Sequence, residues 1–347
     1  MRSGFVSILG RPNAGKSTLV NALVGEKISI VTSKPQTTRQ RVSGIVDVPA
    51  RKGHHPPAQI IFVDTPGVLT PGSELDRRMM QEVMSALEER DIVLVLVDAS
   101  RRIALSSPVA EAEERDHSMP ASEDEYLFQL IRKLDCPVFL VLNKIDLVDR
   151  EKLLPMITQL SEQHKFAEVI PISARKKDGL RVLLHKLAGY LPDGKRVFPE
   201  EQYTDQPERF LAAELIREQI LLETGEEVPY ASAVVIERWD EPTPAKVKKG
   251  ILPKPPLTSI AAAIYCERDG QKAIIIGKGG NKLKAIGQAA RKQIESLLGT
   301  RVYLELHVLV KENWRDSRAF VDHLDWRRQM EELINKGKGE EEWRKGF

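Results

Sequence analysis

The sequence predicts two folded units: an α/β domain with a mostly parallel sheet and helices on both faces, then a smaller α+β domain. Three observations lead there. Apolar runs at Phe5–Leu9, Ile60–Val63, Ile92–Val97, Val138–Leu142 and Val169–Ile172 are short and separated by helical patterns, as buried parallel strands require. Four of these runs stop at polar residues, and ligands of such sheets sit outside the carboxyl ends of the strands. After residue 206 the order becomes helix, two strands, helix, glycine-rich loop, helix, strand. The expected divisions are 1–192, a linker 193–206, a second domain 207–315 and a charged extension 316–347.

The first run feeds Gly10-Arg11-Pro12-Asn13-Ala14-Gly15-Lys16-Ser17-Thr18, which fits G-x-x-x-x-G-K-[ST]. Leu19, Val20, Leu23 and Val24 then repeat at helical spacing. Strand, glycine-rich loop and helix make a phosphate cradle, with backbone N–H groups converging on an anion at a helix N-terminus. Lys16 is expected to reach the outer phosphates and the Ser17 hydroxyl to ligate Mg²⁺.

Ser33 to Arg41 is polar, flanked by strand-like segments, and reads as a surface loop. A threonine there binds Mg²⁺ and the γ-phosphate in nucleotide switches; Thr38 is favoured, with Thr37 as the alternative. The second run ends in Asp64-Thr65-Pro66-Gly67, placing a carboxylate near the metal, through water, and a glycine near the γ-phosphate. The expected catalytic set is Lys16, Thr38, Asp64 and Gly67, and the expected metal set is Ser17, Thr38 and Asp64. Val68 follows, where the Ras-like pattern has a water-orienting glutamine. GTPases with an apolar residue at that position share an asparagine in the phosphate loop, and this resemblance makes Asn13 a candidate to hold K⁺ against the phosphates, or else it only shapes the loop.

Val138–Leu142 ends in Asn143-Lys144-Ile145-Asp146. The Asp146 carboxylate can accept from N1–H and the exocyclic amine of guanine, a donor pair that adenine lacks. Val169–Ile172 ends in Ser173-Ala174-Arg175, whose backbone can meet the guanine carbonyl. The four strand ends together resemble a translation-factor-class GTPase domain, so GTP and GDP are the expected ligands.

Composition sets outer bounds. The chain has 347 residues, 41% hydrophobic content, two cysteines and a net charge of +2. Cys136 and Cys266 lie in separate apolar stretches and read as buried and reduced, which fits a cytosolic protein without a disulfide or zinc framework. With a strand beginning at Phe5 no leader is expected, and no apolar run has the length of a membrane span. Two insertions, Pro49 to Pro57 and Arg101 to Glu125, read as surface loops, with His54 and His55 solvated.

In the second domain, Pro207 to Leu222 reads as an amphipathic helix; Val234–Trp239 and Ala261–Cys266 are strand-like, joined by a basic, proline-rich excursion from Asp240 to Pro256. The order around Ile276-Gly277-Lys278-Gly279-Gly280 resembles a type II KH domain, whose G-x-x-G loop clamps single-stranded nucleic acid. Glu267 to Arg301 carries eight basic residues against three acidic ones. The expected RNA-binding residues are Ile276, Gly277, Lys278, Gly279, Gly280, Lys282, Lys284 and Arg291.

A GTPase joined to this module resembles the Era GTPases over nearly the whole chain. The residues carrying it are Gly10 to Thr18, Lys34-Pro35-Gln36-Thr37-Thr38-Arg39, Asp64 to Gly67, Asn143 to Asp146, Arg268 to Gly280 and Asn313-Trp314-Arg315. The resemblance implies binding near the 3′ end of 16S ribosomal RNA, a role in 30S subunit biogenesis, a monomeric cytoplasmic protein and peripheral contact with the inner membrane. Two other readings stay open from the residues alone: a GTPase serving a tRNA-modification complex, and a membrane-surface switch.

Overall fold

The computed structural model describes residues 1–34, 36–68, 71–101, 123–225, 228, 230–241 and 256–335, with side chains to 330. It forms two compact units, Met1–Gly72 with Asp76–Asp205, and Ser73–Leu75 with Gln206–Phe347. The expected loop over 102–122 and most of the excursion, 242–255, lie outside the described residues.

The first unit is built on six strands: β1 (Arg2–Leu9), β2 (Val42–Val48), β3 (Ala58–Asp64), β4 (Ile92–Asp98), β5 (Val138–Asn143) and β6 (Glu168–Pro171), in the spatial order β2-β3-β1-β4-β5-β6. Only β2 runs antiparallel to its neighbour; β3, β1, β4, β5 and β6 are parallel. Helices α1 (Lys16–Val24), α2 (Glu74–Glu88), α3 (Glu123–Ile131), α4 (Leu153–Gln163) and α5 (Leu180–Tyr190) complete the crossovers. Strands β3 and β5 are buried along their whole length, which is why the sequence shows apolar runs there instead of alternation.

Two expectations for this unit are corrected. Glu123, Asp124 and Glu125, expected in a loop, form the acidic first turn of α3, where carboxylates complement the helix dipole. His55, expected in solvent, is 6% exposed. The insertion turns back on itself through an Arg51–His55 bridge and presents His55 Nε2 2.9 Å from His185 Nδ1 on α5. Residues 193–205 also run along this unit: Gln59 Oε1 accepts from Val197 and Phe198 N–H, and the Ile45 N–H donates to the Tyr203 carbonyl.

The second unit contains α6 (Glu208–Glu223), β7 (Ala233–Asp240), β8 (Leu257–Cys266), α7 (Asp269–Ile276), α8 (Asn281–Leu298) and β9 (Arg301–Val310). Strand β8 is central, antiparallel to β7 and parallel to β9. It starts four residues before the expected strand, because Leu257–Ile260 pair with Arg301–Leu304. Ile216, Ile220, Ile260, Ala262, Ile264, Ile286, Ala290 and Ile294 form the core between the sheet and helices α6 and α8. The extension folds back as α9 (Arg318–His323) and α10 (Trp326–Asn335). Phe320 packs against Tyr265 at 4.9 Å and Trp314 at 5.7 Å, and Trp314 Nε1 donates to the Ala231 carbonyl at 2.8 Å. Both cysteines are free; Cys266 is buried as expected, whereas Cys136 is only half-buried.

Candidate nucleotide and nucleic-acid sites

The carboxyl ends of β1, β3, β5 and β6 bring the sequence-defined segments together. Their shared opening is a cavity of about 240 Å³ lined by Pro12, Asn13, Lys16, Ser17, Thr38, Gly67 and Lys144 among others. Gly15 caps α1 with φ at 97°, so the N–H groups of the first turn stay open toward that cavity. Lys16 Nζ donates to the Gly10 and Arg11 carbonyls at 2.9 and 3.0 Å. Burial holds its pKa down to about 8, against the pull of the Asp64 and Glu123 charges. Such a poorly solvated ammonium gains from meeting an anionic phosphate.

The metal side is made of hard oxygen donors. Ser17 Oγ lies 2.9 Å from Thr38 Oγ1. Thr37 also lines the cavity, but its hydroxyl donates to the Lys34 carbonyl at 2.6 Å, whereas the Thr38 hydroxyl is the one that meets the cradle serine. Asp64 is fully buried; Ser29 Oγ donates to its Oδ2 at 2.8 Å, whereas Oδ1 is buried without a hydrogen-bond partner among the described residues. Burial pushes the Asp64 pKa up, opposed by the Lys16 charge and the neighbouring hydroxyls of Ser17, Ser29 and Thr38. Two hydroxyls beside an orphaned carboxylate oxygen fit Mg²⁺, which takes oxygen ligands and keeps several waters.

Thr65 Oγ1 donates to the Ile8 carbonyl at 2.7 Å, and a Cβ on Gly67 would come within 2.8 Å of the Pro12 nitrogen. Gly67 is thus required by the close passage of two loops. Val68 is fully buried, and its N–H donates to the Gly10 carbonyl at 3.3 Å. The position that carries a glutamine in the Ras-like pattern is here part of the core.

The base-recognition side is tied to the cradle by side chains. Asn143 Nδ2 donates to the Ala14 carbonyl at 2.9 Å, while its Oδ1 accepts from Ala174 N–H at 3.0 Å. Lys144, held at φ 65°, donates from Nζ to the Asn13 carbonyl at 2.8 Å and pairs with Asp98 at 2.7 Å. Ile145 and Asp146 open a short 3₁₀ turn, and Ser173 Oγ donates to Asp146 Oδ1 at 2.6 Å. That bond holds the Asp146 carboxyl below the usual carboxylate range, keeping it an acceptor. Asn13, at φ 64°, reaches across to the Ser33 carbonyl at 2.7 Å. Arg11 turns away from the cavity and pairs with Glu123 and Asp124, both at 2.9 Å.

Sequence reading missed Asp98, Ser29 and Asn21. Asp98 had a signal, since it ends β4 as Asp64 ends β3. Ser29 and Asn21 had none; only the Ser29 bond to Asp64 and the Asn21 bond to Ser29 reveal them.

In the second unit, Gly277, Gly279 and Gly280 all have positive φ, at 72°, 61° and 78°. A Cβ on Gly277 would crowd the Lys282 N–H at 3.1 Å. The loop joins Ile276 at the end of α7 to the N-terminus of α8, with Lys278, Lys284 and Arg291 exposed and Lys282 half-buried. Backbone N–H groups, positive-φ glycines and the Lys278, Lys282 and Lys284 side chains gather at the start of α8, an arrangement with the chemistry to take an anion.

Comparison with known proteins matches both units of the chain. The family model described as a 50S ribosome-binding GTPase matches residues 5–144, and a KH domain model matches residues 227–315. The chain is 42% identical to the GTPase Era of Geotalea uraniireducens over 320 residues, covering 92% of this chain and 96% of that protein. It is 42% identical to the GTPase Era of Heliobacterium modesticaldum over 331 residues, covering 95% and 99%. Among solved structures, Era in complex with MgGDPNP and nucleotides 1506–1542 of 16S ribosomal RNA superposes with a TM-score of 0.79 at 38% identity, covering 94% of this chain and 99% of that one. An Aquifex aeolicus Era variant bound to GDP and AlF₄⁻ gives the same TM-score, identity and coverage. With a nucleotide cradle ending in Asn143–Asp146, a KH unit after it and relatives matched over almost their entire length, the chain belongs to the Era family of GTPases.

Proposed function

We propose that this GTPase is a nucleotide-gated RNA-binding factor that engages 16S ribosomal RNA near its 3′ end and acts in assembly of the 30S subunit. The observation that carries the reading is the pairing of a switch threonine, Thr38, with the cradle serine, Ser17, in a chain that also carries the Gly277–Gly280 loop. The solved relative that binds both MgGDPNP and a 16S fragment supports the choice of ligands.

In this reading Asp146 and the backbone of the Ser173–Arg175 segment select guanine, Lys16 meets the outer phosphates, and Thr38 with Gly67 closes on the γ-phosphate. Ser17 and Thr38, with Asp64 through water, hold Mg²⁺, which supplies positive charge to the phosphates when bound. Val68 offers no carboxamide to orient water, so charge at the cradle has to do more. Asn13, whose amide nitrogen is committed to Ser33, is assigned to hold K⁺ there through its carbonyl oxygen. On the RNA side, Ile276 to Gly280 take the sugar-phosphate backbone, and Lys282, Lys284 and Arg291 add salt-sensitive attraction. The protein is assigned as a cytoplasmic monomer whose contact with the inner membrane is peripheral; among the described residues no helix is long and apolar enough to cross a membrane.

The test compares affinity for a 3′-terminal 16S fragment with GDP and with a non-hydrolysable GTP analogue. Tighter binding in one state supports gating; identical affinity in both overturns it. Equal affinity for a scrambled fragment overturns the assignment to the 16S 3′ end.

A further inference from the structure

Asp64 is gripped by a residue outside the nucleotide segments. Ser29, 4% exposed, donates from Oγ to Asp64 Oδ2 at 2.8 Å, so Oδ1 is the carboxylate oxygen left to serve a metal-held water. Ser29 belongs to no helix or strand. Its place comes from Asn21 on α1, whose Oδ1 accepts from the Ile28 and Ser29 N–H groups, both at 3.0 Å, and whose Nδ2 donates to the Ser29 carbonyl at 2.7 Å. Three hydrogen bonds from one side chain template this turn, and the helix bearing Asn21 starts at Lys16 and Ser17. Ile30 to Ser33, the continuation of the same turn, line the nucleotide cavity.

We infer that Ser29 is a positioning residue for the metal site: it fixes the rotation of the Asp64 carboxylate, and Asn21 fixes Ser29 to the helix that carries the metal-ligating serine. Without Ser29, the hydroxyls left beside the Asp64 carboxylate are those of Ser17 and Thr38, which belong to the metal site itself, and the last torsion of a carboxylate is broad and shallow. One short hydrogen bond from a templated hydroxyl removes that freedom before the ion arrives, which is how supporting contacts raise metal affinity. The inference rests on the assignment of Asp64 to Mg²⁺.

The experiment follows release of a fluorescent GDP from the full chain as Mg²⁺ is titrated, with a second measurement in EDTA; no hydrolysis is needed. Ser29→Ala is expected to raise the Mg²⁺ concentration that half-maximally slows release by about tenfold, the worth of one hydrogen bond to a charged group. GDP affinity in EDTA is expected to stay within about twofold, and Ser29→Thr, which keeps the hydroxyl, to recover most of the Mg²⁺ response. An unchanged Mg²⁺ midpoint in Ser29→Ala overturns the inference, including the case where only the melting temperature falls. If Ser29→Ala does not fold, Ser29→Cys, which keeps a donor on the same torsion but a much weaker and slightly larger one, makes the same comparison. Should the unmodified protein release GDP at the same rate with and without Mg²⁺, the metal assignment itself fails, a result distinct from failure of the Ser29 role.

Discussion

The Asn143 carboxamide donates to the Ala14 carbonyl at 2.9 Å and accepts from Ala174 N–H at 3.0 Å, so one side chain joins the ends of three segments. Asn143 is 2% exposed, and a Cβ on Gly15 would collide with its Nδ2. The phosphate loop and the base-recognition loops therefore behave as one piece. Asn143→Ala leaves a buried carbonyl and a buried N–H unpaired, and each costs about 1–3 kcal/mol. GTP and GDP affinity are expected to fall by about 10- to 100-fold together, measured by calorimetry, with the far-UV spectrum retained.

Base selection lies in a different atom. Asp146 is kept ionised by the Ser173 hydroxyl and contributes acceptors only. Asp146→Asn turns one acceptor into a donor, which suits the second carbonyl of xanthine. Competition binding is expected to show preference moving from GTP to XTP by at least about tenfold.

Gly279 sits at φ 61° with no atom within 4 Å of a Cβ, so Gly279→Asp adds negative charge to the loop without a clash, at the cost of backbone strain that an L side chain carries in this region. Together with Lys278→Asp it is expected to abolish RNA binding while nucleotide affinity is unchanged. The milder Lys284→Ala is expected to weaken binding of all sequences alike and to reduce the log–log salt slope by about 1. A filter-binding series from low to high salt gives the slope.

The insertion is held to α5 by the contact of His55 Nε2 with His185 Nδ1, which needs at least one neutral ring. Burial first, then the Arg51, His55, Arg181 and His54 charges, lower the His185 pKa below its ordinary 6.5. A histidine with a lowered native pKa binds fewer protons folded than unfolded. Its contribution to stability is complete above pH 6.5 and is lost as pH falls from there toward the native value. Urea denaturation from pH 7.5 to 5.5 is expected to show a steeper loss in the parent protein than in His185→Gln.

Much of the site could be read along the chain because nucleotide chemistry lies at strand ends, where each group needs only its own segment to be placed. Gly10 to Ser17, Asp64 and Asn143 to Asp146 each follow an apolar run directly, and the hydrophobic period is enough to locate them. The choice between Thr37 and Thr38 was not readable this way. Neighbouring loop hydroxyls face different directions, and the direction depends on how the loop meets Ser17.

Local pattern alone, short apolar runs, helical spacing near 3.6 and the placement of glycines, was enough to define the parallel sheet, the phosphate loop and the order of elements around Gly277 to Gly280. Packing settled the rest: His55 facing His185 and not water, the extension folded back on Tyr265 through Phe320, and Ser29, held by Asn21, brought to Asp64. These contacts join residues up to 130 positions apart, and no periodicity encodes which distant surface a polar side chain will meet. Burial decides it, since each buried donor or acceptor must find its partner once the core has closed.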